Sequence, residues 1–376
     1  AFGLTLLYIF QIYLRNKKIG VILFSIQSIV GISSILGMLN VGFLSSFLYK
    51  KSLTYRGDYW RAAWKMFKKN PVFGVGLDRY GANFRLYRDL NQSMRRGPDF
   101  YANSAHNVPL QLFATGGTFV GIFYFILICF IFWRGILGLK NLQGLQRLKF
   151  ASFFFAWISY EAQSIISIDN IGISILGYTL GGLVVGLSIQ NKDEHRLHIK
   201  VRSPRYFGVF LLIPLFLIQN DFIRMESKMH RFELSGPTTD PQFNLSILNS
   251  INSKTSFIVE DPTFAIWKAR KLAQFEEFEN SLILLGELNK KDFKLYESRI
   301  LEAQLYEFRE KFREAIYIRL NLQSLDPFNY SNLLLLGKDY LKAGNRLESR
   351  KYLLLVSDMA PLTQEGALAQ KMLKDL

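Results

Sequence analysis

Long apolar runs constrain this chain more than any other feature. A helix needs about 20 apolar residues to cross a hydrocarbon layer of roughly 30 Å. Runs of that character lie near residues 2–14, 19–48, 108–133, 150–168, 171–189 and 206–220. Lipid offers no hydrogen bonds, so backbone crossing it must satisfy its own donors and acceptors, which makes each run a helix; Pro214 is tolerable in such a span. The 33 Phe residues exceed what a soluble domain of this size uses. The chain opens on Ala1-Phe2-Gly3, inside an apolar run and without a charged leader, so further spans are expected upstream.

Orientation follows from the short basic turns. Arg15, Lys17 and Lys18 flank the first turn, and Arg134, Lys140, Arg147 and Lys149 fill the next. Lys192, Arg196, Lys200, Arg202 and Arg205 fill the third, against Asp193 and Glu194. Six alternating spans put all three turns on one side, the cytoplasm. Residues 49–106 and everything after about 221 then lie outside. The tail from Asp221 onward balances 22 Lys/Arg with 22 Asp/Glu, so the net charge of +16 resides in the membrane half. Basic residues held against a bilayer fit lipid phosphate or a lipid-linked substrate, not nucleic acid. The single Cys129 lies inside an apolar span and has no intramolecular disulfide partner.

The polar island from Tyr49 to His106 carries 12 Lys/Arg against 4 Asp/Glu. Tyr59, Trp60, Ala63, Trp64 and Phe67 recur at helical spacing, which predicts an amphipathic helix over 55–69 lying at the interface. Arg56 begins it, Arg61 follows, Asn70-Pro71 stops it, and Phe73-Gly74-Val75-Gly76 reads as a tight turn. Arg79, Arg85 and Arg88 fall on a shorter helical stretch. Guanidinium forks match phosphate oxygens in a bidentate way that Lys does not. The alternative is an interfacial helix whose arginines only touch head groups. His106 stands where the chain re-enters the membrane, followed by Asn107; an imidazole there can serve as a base or merely pack. Glu161, inside an apolar span, forms a polar path with Gln163, Ser164, Asp169, Asn170 and Asn107, or a helix–helix hydrogen bond. His195 and His198 lack carboxylate or thiolate partners and read as solvated; no metal site and no cofactor is expected.

The tail carries a second architecture. Asp292-Phe293, Asp326-Pro327 and Ala360-Pro361 recur 34 residues apart, the tetratricopeptide period. Leu333, Leu336, Gly337 and Tyr340 take the small and large positions of one first helix, and Ala303, Tyr306 and Ala315 those of the preceding unit. Trp267, Ala269 and Leu272 give a looser unit after Pro262. The expected fold is all-α: a polytopic transmembrane helical bundle over 1–221 with an external loop at 49–106, a linker over 222–258, and a soluble tetratricopeptide-like helical hairpin array over 259–376. Such arrays bind or space partners and carry no chemistry.

Arg56-x3-Trp60, Pro71-x2-Gly74-x-Gly76 and His106-Asn107-x2-Leu110-Gln111-x4-Gly116 together resemble the signature of the O-antigen ligase/polymerase family of bacterial GT-C type glycosyltransferases. The likeness covers roughly residues 1–220, the family's C-terminal half, with Thr115 where an acidic residue is common. It implies a multi-pass protein of the bacterial inner membrane, with loop 49–106 and the repeat tail periplasmic, that transfers a glycan from a polyprenyl pyrophosphate carrier to a hydroxyl acceptor at the periplasmic face, inverting and metal-independent. Catalytic His106 and Arg56 would be joined by Arg61, Arg79 and Arg85 on the pyrophosphate. A lipid A core acceptor, a growing glycan and a protein hydroxyl remain open, as do a non-catalytic scaffold presenting the array to envelope partners and a lipid-linked glycan transporter.

Overall fold

The computed structural model describes residues 2–38, 42–48, 51–189, 223–234, 241–251, 262–292 and 295–376, and every regular element among them is a helix. Contacts divide the chain into two units, Ala1–His195 and Arg196–Leu376. The expected span at 206–220, and His195 and His198, lie outside the described residues.

In the first unit, α1 (Phe2–Arg15) and α2 (Lys17–Met38) form a hairpin turning at Asn16, followed by a single turn, α3 (Ser45–Leu48). The island folds as α4 (Lys51–Lys69), α5 (Tyr80–Tyr87) and α6 (Leu90–Arg96), and α7 (Val108–Asn141), α8 (Gly144–Ser164) and α9 (Ile171–Ile189) complete the bundle. Lys17–Gly37, Val108–Asn141 and Ile171–Ile189 are long and apolar enough to cross a membrane; Phe2–Arg15 is apolar but shorter. Helix α8 covers most of the expected 150–168 run but ends at Ser164 and starts at Gly144, drawing in Arg147 and Lys149, so it is not among the helices apolar enough to cross. It lies between α1, α7 and α9, with Phe150, Phe154 and Trp157 buried. Glycines let its aromatic rings close in: Gly135 and Gly138 of α7 face Phe154 and Phe150, and Gly181 of α9 faces Trp157. Lipid tails are as apolar as any core, so helices in a membrane associate by such close packing.

The island differs from the expected interfacial helix. The buried face of α4 is Tyr59, Ala62, Ala63 and Met66, packed on Tyr80, Phe84, Ala102, Ala105 and Ala114, while Trp64 is exposed. The spacing i, i+3, i+4, i+7 is that of a helix facing a core. The helix is therefore the centre of a small packed island, with α7 behind it.

In the second unit, helices over 223–234 and α11 (Pro241–Ser250) occupy most of the stretch expected as linker. Met225, Phe232, Leu248 and Ile251 bury themselves with Phe264 and Leu272 of α12 (Pro262–Gln274). Counting 223–234 as α10, the remaining helices are α13 (Phe278–Lys291), α14 (Tyr296–Phe308), α15 (Phe312–Leu325), α16 (Tyr330–Lys342), α17 (Arg346–Met359) and α18 (Gln364–Asp375). First helices start at Pro262, Tyr296 and Tyr330 and the last helix at Gln364, each 34 residues after the one before. The hairpins share a buried polar cluster: Arg319 of α15 donates to Asp339 of α16 at 2.9 Å and to Asn332 at 3.0 Å, and also pairs with Glu307 of α14. Burial and the neighbouring Glu307 carboxylate push the Asp339 carboxyl up to about 7, against the pull of Arg319.

Candidate functional site

The motif Pro71–Gly76 and the glycines of α7 form one structure. At Gly117 the backbone leaves the helix (φ 71°, ψ −167°), so α7 is two helices joined at a kink. The kink frees the carbonyls of Ala114 and Thr115, and these accept from Val75 N and Gly76 N at 2.9 Å each. In return Thr118 N and its hydroxyl both donate to the Pro71 carbonyl at 2.7 Å. The island loop thus supplies the hydrogen bonds that the broken helix gives up. A Cβ at Gly117 would sit 2.2 Å from the Val72 carbonyl oxygen, and one at Gly74 2.4 Å from Thr115. Only glycine permits both the approach and the backbone angles.

This docking fixes where α7 begins, and His106 stands just before that start. Asn107 caps the helix, its side chain accepting from Leu110 N at 2.8 Å. Gln111, one turn in, accepts from Ala105 N at 3.0 Å. Pinned on both sides, His106 adopts a left-handed backbone (φ 52°), a conformation that a non-glycine residue holds only when its surroundings impose it. Its ring lies against Tyr59 of α4, centroids 5.4 Å apart. Tyr59 is itself wedged between Phe84 and Phe100, and its carbonyl accepts from Tyr80 Oη at 2.8 Å. Burial, and then the Arg56 guanidinium on the same helix as Tyr59, hold the His106 imidazole below the ordinary histidine range. A neutral imidazole that can accept a proton thus sits beside a permanent cation.

The other arginines have their own places. Arg61 pairs with Asp58 and, at 3.1 Å, with Asp89, where Lys65 also binds; Arg95 closes on Asp58 from α6. Burial alone would raise Asp89, but the hydrogen bonds from Lys65 and Arg61 hold its carboxyl below the usual range. Arg79 caps α5 and is exposed. Arg85 is turned inward, donating to the Asp99 carbonyl at 3.0 Å with its guanidinium 4.9 Å from the Tyr101 ring. Arg88 does likewise to the carbonyls of Pro98 and Phe100. Arg56 therefore acts on His106 through its charge, Arg61 belongs to a carboxylate network, and Arg85 helps to hold the 98–101 loop.

Glu161 of α8 accepts from Tyr124 Oη of α7 at 3.1 Å and lies 3.4 Å from Ser164 Oγ. Gln163 and Asp169 line a small pocket with Ser164, Tyr160 and Val108, the residue after Asn107. The polar groups at the end of α8 consequently flank the start of α7. Tyr59 and Gln111, which the sequence marked only as a helix-face residue and a motif member, also belong to the site. For Tyr59 the signal was its place three residues after Arg56, one helical turn along the same face.

Neither the curated proteins nor the solved structures contain a match to this chain. Residues 1–125, a third of the chain, match the family model described as O-antigen ligase, a stretch that holds Arg56, Tyr59, His106 and the Gly117 kink and supports a glycosyltransferase-type activity in surface polysaccharide synthesis.

Proposed function

We propose that the protein transfers a glycan from a polyprenyl pyrophosphate carrier to a hydroxyl acceptor at the periplasmic face of a bacterial inner membrane. The acceptor oxygen attacks the anomeric carbon while the carbon–oxygen bond to the pyrophosphate breaks, and the leaving group takes the electron pair. A single displacement inverts the configuration. His106 takes the acceptor's proton, which its depressed basicity range suits at neutral pH. Arg56 stabilises the charge growing on the departing pyrophosphate, with the exposed Arg79 as a second guanidinium, so that guanidinium groups neutralise the charge without a metal. The repeat array, on the same side of the membrane, recruits the acceptor or a partner.

One observation supports this reading: the His106 imidazole, in a left-handed backbone just before the apolar helix α7, is held below the ordinary histidine range by burial and by the Arg56 guanidinium, within the stretch that matches the O-antigen ligase family. The test is transfer of polyprenyl-linked oligosaccharide to candidate acceptors by membrane-inserted protein. His106→Ala and Arg56→Ala each lower the rate by about 10² to 10³ at normal protein levels. Arg56→Lys also fails, because a point charge replaces a fork. Near-normal transfer by both alanine variants removes the assignment.

A further inference from the structure

The end of the bundle remote from His106 holds a second feature. Helices α1, α2 and α8 enclose an open-sided pocket of about 220 Å³, lined by Leu6, Ile9, Phe10, Val21, Phe24 and Phe155. It is smaller than the roughly 300 Å³ at which pockets begin to suit drug-sized ligands and fits a segment of one chain. Gly20, beside the hairpin turn, brings α2 onto Tyr13, and both residues line the pocket. At its edge the Arg147 guanidinium lies 5.7 Å from the centroid of the Phe10 ring. Its Nε is shielded from solvent and has no acceptor among the described residues. An unsatisfied donor at the margin of a bilayer is costly, and a phosphate oxygen is its natural acceptor. Exposed Arg15, Lys17, Lys18 and Lys149 surround the same end, while residues 1–57 contain no Asp or Glu to balance them.

We propose that this pocket holds one anionic phospholipid from the leaflet at the α1–α2 turn. One acyl chain enters between α1, α2 and α8, and the phosphate accepts from Arg147. An acyl chain passing by at random would leave Arg147 Nε unmatched, and a zwitterionic lipid would leave the basic ring unbalanced. On the topology proposed above this is the cytoplasmic leaflet, so the bound lipid would anchor the bundle on the face opposite the reacting centre. The proposal stands independently of glycan transfer.

The test uses the full chain in phosphatidylcholine nanodiscs doped with phosphatidylglycerol bearing a photoactivatable acyl chain. Adducts are mapped by peptide mass spectrometry. The expected result is labelling of residues 6–24 and of Phe155, about fivefold above a phosphatidylcholine probe with the same chain, the factor that one basic residue near an anionic surface confers. Arg147→Gln reduces labelling to the phosphatidylcholine level, and Lys140→Gln, on α7 away from the pocket, leaves it unchanged. Ile9→Phe, which fills the pocket and keeps Arg147, reduces the acyl adducts. Equal labelling by the two head groups, or labelling unaffected by Arg147→Gln, identifies ordinary annular lipid and overturns the proposal. Displacement by polyprenyl phosphate but not by phosphatidylglycerol assigns the pocket to the carrier and overturns it as well. Absence of adducts in 6–24 means that protein covers the pocket, with the same consequence.

Discussion

The island and the repeat array are both helical and both stabilised by arginine, yet they handle its charge in opposite ways. In the array, Arg319 is buried between Asp339 and Glu307 and bonded to Asn332, and the tail as a whole is neutral. In the island, four acids face twelve bases, and two of those acids, Asp58 and Asp89, are committed to Arg61, Lys65 and Arg95. Cations matched one for one serve the fold; cations left in excess provide a field for an anionic ligand. The array's chemistry is closed, and the island's is open.

Removing the central arginine of each region sharpens that contrast. Arg319→Met leaves the buried Asp339 and the half-buried Glu307 without their cation and costs the array about 3–5 kcal/mol, read as its melting transition. Arg61→Met, on a half-exposed side chain, costs the island no more than about 1 kcal/mol, because Arg95 and Lys65 still answer Asp58 and Asp89. An equal loss of stability in the two would break the distinction. Between these falls Gly117→Ala: the glycine-only backbone region and the overlap with the Val72 carbonyl together cost about 3 kcal/mol. Protease resistance of the island measures this loss, with the array unaffected.

The smallest effect is on pH dependence. In the proposed mechanism His106 acts as a base only when neutral, so transfer is expected to fall as pH drops through its folded value, below the ordinary histidine range. Burial is the first cause of that depression and Arg56 the second. In Arg56→Gln the acid limb of the residual rate therefore moves up in pH while burial keeps part of the shift.

Much of this was legible in the sequence, because period and length report on local structure. The apolar runs predicted α2, α7 and α9, and the 34-residue spacing predicted helices that recur at that interval. The face of α4 was harder. Trp60, Trp64 and Phe67 suggested an interfacial helix, but Ala62 and Met66 face the core, since small residues let α5 and α7 approach closely. The helices at 223–234 and 241–250 arise in a stretch rich in Ser and Asn because a few apolar residues, Met225, Phe232 and Leu248, meet α12. Within the site, Arg56 and His106 stood out by residue type. That Arg85 and Arg88 turn inward to carbonyls did not, because the partners lie ten or more residues away in a loop with no periodic signal. The kink is similar: Gly117 looks like any glycine in an apolar run until the Pro71–Gly76 loop is docked on it.

The central claim is that the membrane unit carries the chemistry and the array does not. It is tested most directly by single-turnover glycan transfer with a chain ending near Asn220, inserted at wild-type levels. The account predicts that basal transfer survives, with loss of efficiency or acceptor choice, and that His106→Ala in this shortened chain abolishes what remains. A correctly inserted but wholly inactive shortened chain would contradict it, because the array would then belong to the reacting unit.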